Sequence, residues 1–94
     1  MIIRIVKLKF QENKVADFLN LFDNVVNKVN TYPGCQQMHM VRDLNDTTLF
    51  FTYSVWEHRT ALENYRNSPL FQTIWPQIKP WFSEKAEAWS TEKV

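Results

Sequence analysis

Three side chains in this sequence are suited to acid–base or nucleophilic work near neutral pH: Cys35, His39 and His58. A thiol beside an imidazole makes a nucleophile and its base, and with further ligands the same groups make a zinc site. Cys35 and His39 share a strand parity, but four residues of extended chain hold them roughly 13 Å apart, beyond a shared metal or a hydrogen bond. With His58 the only other imidazole, no metal site is expected. Cys35 reads as a small buried residue after a turn. His39 lies between Met38 and Met40 and points to the face opposite both. Its functional reading is a general base or hydrogen-bond donor at a pocket rim, and its plainer one is an exposed or interface histidine. His58, at a strand-to-helix junction, reads as a surface or capping residue.

The aromatic residues carry a stronger signal. Four Trp, seven Phe and three Tyr in 94 residues exceed what one small core readily hides, so some should line a pocket or an interface. Ordinary core packing accounts for any one of them. Together, Tyr53, Trp56, Tyr65, Phe71 and Trp75 offer flat surface with polar tips, which suits a pocket for a small aromatic molecule. Trp56 and Tyr65 flank the turn into a helix and can converge on one ligand.

Composition narrows the function classes. The net charge is +1, with Lys and Arg scattered, so nucleic acid is not an expected partner. No apolar run approaches the ~20 residues of a membrane span. The chain starts directly in a strand-like alternation, and a cytoplasmic protein with no membrane partner is expected. Its single cysteine fits a reducing compartment. The only glycine, Gly34, sits in a Pro-Gly turn, which leaves no Gly-rich phosphate loop for a flavin or nicotinamide cofactor.

The elements that must position these residues can be read in order, as one domain over residues 1–94. Ile2 to Phe10 alternates as a strand, apolar at both parities near its start. Val15, Phe18, Leu19, Phe22, Val25, Val26 and Val29 recur at three-and-four spacing and predict a helix over about Asn13–Val29, with Gln11 or Asn13 as its cap. Pro33-Gly34 predicts a type II turn. Cys35–Arg42 and Leu49–Trp56 predict a hairpin across Asp43–Asp46. A second helix is expected from about Thr60, restarting at Ser68-Pro69, with Pro76 and Pro80 breaking it. Glu84–Thr91 reads as an edge strand. The order β-α-β-β-α-β is the ferredoxin-like arrangement of the α+β class, a four-stranded antiparallel sheet with helices on one face. Its uncovered face calls for a second layer, most economically a homodimer.

Once these elements are placed, the chain resembles the antibiotic biosynthesis monooxygenase family of dimeric α+β barrels. The likeness rests on Pro33-Gly34-Cys35, on Ser54-Val55-Trp56 ending the third strand, on Arg59-Thr60-Ala61-Leu62, and on Tyr65-Arg66-Asn67-Ser68-Pro69-Leu70-Phe71. The resemblance implies a cofactor-independent monooxygenase acting with O2 on a small aromatic or hydroquinone-type compound. It implies Trp56 and Tyr65 shaping and hydrogen-bonding the ring, and His39 or Arg42 favouring the substrate anion. Tyr53, Phe71 and Trp75 are the further binding candidates. A non-enzymatic binding module, or an isomerase of a small signalling metabolite, are the alternatives on the same scaffold. The family often has a glutamate where this chain has Ser54 and a histidine where it has Tyr65. The haem-degrading members place an asparagine in the first strand and an axial histidine where Trp75 stands, so haem degradation is not expected here.

Overall fold

The computed structural model describes residues 1–94. The chain runs β1 (Ile2–Lys9), α1 (Val15–Asn30), β2 (Cys35–Arg42), β3 (Leu49–Trp56), α2 (Arg59–Arg66), α3 (Pro69–Ile78) and β4 (Glu87–Glu92), with 3-10 turns at Glu12–Lys14 and Lys79–Trp81. The strands form one antiparallel sheet in the order β2-β3-β1-β4, which puts the two strands that read as apolar on both faces in the middle. This is the ferredoxin-like α+β layout, with the second helical passage split in two.

Register decides which side chains meet. Arg4 pairs with Ser54, Val6 with Thr52 and Leu8 with Phe50, and these positions face the helices, whereas Ile3 and Ile5, opposite Val55 and Tyr53, face away. On the helix side Leu8, Phe10, Phe18, Phe50 and Ile78 form a buried cluster. Phe10 stacks on Phe18 at 4.1 Å between ring centroids and Phe18 meets Phe50 edge-on at 5.4 Å, geometries that aromatic quadrupoles favour. A second, smaller cluster of Trp56, Ala61 and Leu62 lies at the other end of the layer, with Ile2, Tyr32, Cys35 and Tyr65 against it.

The turns tie these clusters to the sheet. Cys35 N–H donates to the Tyr32 carbonyl at 2.9 Å and Gly34 has φ +87°, the expected type II turn. A Cβ on Gly34 would strike the Ala61 methyl, and the Gly34 carbonyl accepts from Glu57 N–H at 2.9 Å. The lone glycine therefore serves both the positive φ and the close approach of α2. His58 accepts from Ala61 N–H at 3.2 Å and caps α2. Ser68 accepts from Phe71 N–H at 3.1 Å, and with Pro69 it restarts the chain as α3.

Several details depart from the sequence reading. Neither Gln11 nor Asn13 caps α1, which follows a 3-10 turn instead. The Gln11 amide donates to the Pro80 carbonyl at 3.0 Å and ties the start of α1 to the end of α3. Pro76 does not break α3 but sits inside its last turn. A proline so close to the C-terminus removes one bond, to the carbonyl of exposed Gln72, where water can replace it. The helix gives way only at the 3-10 turn holding Pro80. β4 starts at Glu87 rather than Glu84, because Phe82 first bridges Phe10 and Ser83 N–H bonds the Lys9 carbonyl at 2.9 Å before the chain reaches ladder register.

A bulge corrects the shared parity of Cys35 and His39. Cys35 pairs with Trp56 but Gln37 pairs with Val55, so Gln36 is an extra residue in β2. Cys35 consequently packs with Trp56 on the helix side, while His39, opposite Tyr53, lies on the other face.

That other face carries Ile3, Ile5, Phe51, Tyr53, Val55 and Trp89, with Tyr53 37% and Trp89 46% exposed. No helix is long and apolar enough to cross a membrane.

Candidate functional site

Between the two clusters the helices stand off the sheet and leave a cavity of about 340 Å³, within the range of small-molecule sites. Its walls are mostly apolar, drawn from β1, α1, β3, α2 and α3. On its β4 side only Ala86, Glu87 and Ala88 contribute. Two methyl groups cannot fill the space that large side chains occupy elsewhere, and β4 is exposed along its whole length, so the cavity opens along this edge.

The aromatic wall is continuous. Tyr65 stacks on Trp56 with centroids 4.9 Å apart, meets Tyr32 and Phe71 edge-on at 5.4 Å each, and Phe71 lies parallel to Trp75 at 5.8 Å. Helical spacing explains the alignment. Phe71 and Trp75 are four residues apart on α3, and Tyr65 ends the turn of α2 that Leu62 buries. Trp56 itself is only 1% exposed. Its Nε1–H donates to Ser54 Oγ at 3.0 Å, which fixes the ring against Tyr65. Ser54 thus orients the tryptophan, while Trp56 lines the cavity and backs Tyr65.

Arg4, Ser54, Tyr65 and Arg66 lie near one another on the lining, while Thr52 and Glu87 are polar residues further along the sheet. Burial pushes the Tyr65 phenol up to about 12, with the charge of ionised Cys35 acting in the same direction. Tyr65 therefore remains an O–H donor at any ordinary working pH. Burial also lowers the Arg4 guanidinium from its usual value, and the like charge of Arg66 adds to this. Arg4 Nη1 donates to Ser90 Oγ at 3.0 Å, and Arg66 pairs with exposed Glu63 at 3.2 Å. Burial pushes the Cys35 thiol up, away from the reactive thiolate.

Of the residues singled out in the sequence, Trp56, Tyr65, Phe71 and Trp75 come together on this cavity. Three others are held apart from it. His39 and Tyr53 face the opposite side of the sheet, where His39 Nε2 shares a hydrogen bond with Gln37 at 3.0 Å. Arg42 is on the helix side but at the far end of β2, its guanidinium 5.0 Å from the centre of the Phe50 ring. Arg4 and Arg66 were missed by the sequence reading. The signal for Arg4 was its place on the parity of Ile2, Val6 and Leu8, an arginine in the middle of a core-facing row.

No three His, Cys, Asp or Glu side chains converge as a metal site would require.

Comparison with known proteins follows the same outline. A family model described as antibiotic biosynthesis monooxygenase matches residues 1–76, which takes in all these elements except the end of α3 and β4. A crystal structure of an antibiotic biosynthesis monooxygenase superposes with a TM-score of 0.94 at 20% identity, covering 100% of this chain and 99% of that one. A conserved protein from Methanosarcina mazei Go1 gives 0.92 at 21% identity over 100% and 94% of the two chains. A Mycobacterium tuberculosis protein gives 0.91 at 13% identity over 99% and 94%. At these identities the structures share the fold. No curated protein matches the chain.

Proposed function

Because this chain belongs to the antibiotic biosynthesis monooxygenase family, we propose that it oxygenates a small phenolic or hydroquinone-type compound with O2, using neither flavin nor metal. The observation that carries this reading is the aromatic-walled, mostly apolar cavity with Arg4, Ser54, Tyr65 and Arg66 grouped on its lining. In such chemistry the ionised phenol gives one electron to O2. The resulting radicals recombine as a peroxide on the ring, and its collapse leaves a quinone carbonyl and releases the second oxygen as water.

A protein assists by favouring the phenolate, holding the ring flat and excluding water. In our reading the Tyr65 hydroxyl donates to the phenolate oxygen, and the guanidinium charges grouped with it lower the phenol's pKa. Phe71 and Trp75 form the wall against the ring. The 94 residues act as one domain, and two copies associate through the face bearing Tyr53 and Trp89, whose exposed aromatic surface supports a partner.

Oxygen uptake with a panel of hydroquinones and phenols tests the chemistry. Consumption of one O2 per quinone formed is expected, and uptake no faster than in buffer across the panel removes the proposal. Sedimentation at micromolar concentration should return the mass of two chains, and a mass of one chain rules out the pairing. The absence of a histidine among the cavity-lining residues favours, as a second reading, a binding module that holds such a ligand without oxidising it. Ligand binding without oxygen uptake would select it.

A further inference from the structure

Among the charged groups at the cavity, Arg4 stands out by its lack of a counter-ion. It projects from a central strand between Ser54 and Ser90, half-buried, and its one side-chain hydrogen bond goes to the neutral hydroxyl of Ser90. No carboxylate lies within ion-pair distance of it. Arg66, the other cation of the lining, is already paired with Glu63 on the outer side, and the one acidic lining residue, Glu87, belongs to the exposed edge strand. The charge of Glu63 favours the Arg4 cation only from a distance, and a half-buried cation with no carboxylate in contact is costly in a largely apolar wall. The ligand can supply the missing charge.

One phenolate does not account for both polar features. The Tyr65 hydroxyl is an uncharged donor stacked within the aromatic wall and suits a phenol oxygen on the ring. Arg4 rises from the sheet beside Ser54 and Ser90, next to the short side chains of β4. A guanidinium recognises a carboxylate through two parallel N–H donors, a geometry that a single phenol oxygen cannot use. We propose that the ligand is an aromatic acid, a phenol or hydroquinone ring carrying a carboxylate that pairs with Arg4 at the β4 edge of the cavity.

This inference rests on the cavity being the ligand site proposed above, but its test does not depend on turnover. Binding of 2,5-dihydroxybenzoate and 2,5-dihydroxyphenylacetate is compared with that of their methyl esters by quenching of tryptophan fluorescence. The acids should bind at least ~10-fold more tightly than the esters. That preference should fall as salt is raised and disappear in Arg4→Gln, where acid and ester should bind equally. Arg4→Lys, which keeps the charge and loses the fork, should retain only part of it.

Equal affinity of acid and ester for the unaltered protein overturns the proposal, as does no binding of either acid at millimolar concentration. The wild-type comparison decides the matter even where a variant fails to fold. A preference for the acid without oxygen uptake leaves the carboxylate site standing and removes the monooxygenase reading. Uptake with acid and ester alike does the reverse.

Discussion

Replacing Trp56 by alanine should lower the unfolding free energy by about 3–5 kcal/mol, the usual range for deleting a fully buried large aromatic. For a domain of this size, with a total of about 5–15 kcal/mol, that is a loss large enough to leave a marginal fold. The expectation follows from its placement. The indole is 1% exposed, is stacked under Tyr65, and its N–H is satisfied by buried Ser54. Denaturant titration reads the effect as a shift in midpoint at nearly constant slope.

Trp56→Phe separates packing from hydrogen bonding, because it keeps a ring under Tyr65 and leaves Ser54 Oγ without its donor. A loss of about 1–3 kcal/mol is expected for it. Should Trp56→Ala prove as stable as the parent, the second cluster does not support the fold as described.

Tyr65→Phe is the complementary case, with little change in stability and a large change in rate. Removing one donor aimed at developing negative charge typically costs about 10²–10³-fold in turnover. Stacking on Trp56 and the contacts with Tyr32 and Phe71 need only the ring, which phenylalanine retains. The kinetic loss should therefore fall on kcat with the melting temperature nearly unmoved. A variant with undiminished kcat would take Tyr65 out of the chemistry.

Titration gives an independent check on the same side chain. One tyrosine absorbance step near pH 12 should be present in the parent and absent from Tyr65→Phe. The sign of the linkage follows. Burial favours the neutral phenol, so the folded chain binds the proton more tightly than the unfolded one. This contribution to stability is complete below the unfolded value near 10 and is lost as pH rises through about 12. In the rate profile below pH 9, Tyr65 should contribute no ionisation. A rise with pH there belongs to the substrate phenol.

Much of this was legible from spacing. The helical repeat of α1, the Pro33-Gly34 turn, the hairpin from Cys35 to Trp56 and the Ser68-Pro69 restart are local signals, and the structure follows them. What failed was information carried by non-local pairing. His39 was read correctly as pointing away from Met38 and Met40, but which face holds the cavity depends on where the helices pack. The bulge at Gln36 is a misfit between two strands and leaves no mark in either alone. Arg4 has a readable parity, but a charged side chain in an apolar run is ordinarily one that faces solvent. Pro76 shows the limit of a local rule, since its cost falls on the preceding turn, where the carbonyl it leaves without a donor belongs to exposed Gln72.

The separation of the apolar layer into two clusters has a thermodynamic consequence. The cavity lies where a single continuous core would have had its middle, so the two halves of the layer meet mainly through the sheet beneath them. A ligand filling that space touches α1, α3 and Tyr65 at once and so acts as a removable piece of the interior. Occupancy and folding are then linked: at a free concentration a hundred times its dissociation constant, a ligand adds about 2.7 kcal/mol to the unfolding free energy. The melting curve of this small domain is therefore also a binding curve, and it responds to the right compound whether or not that compound is ever oxidised.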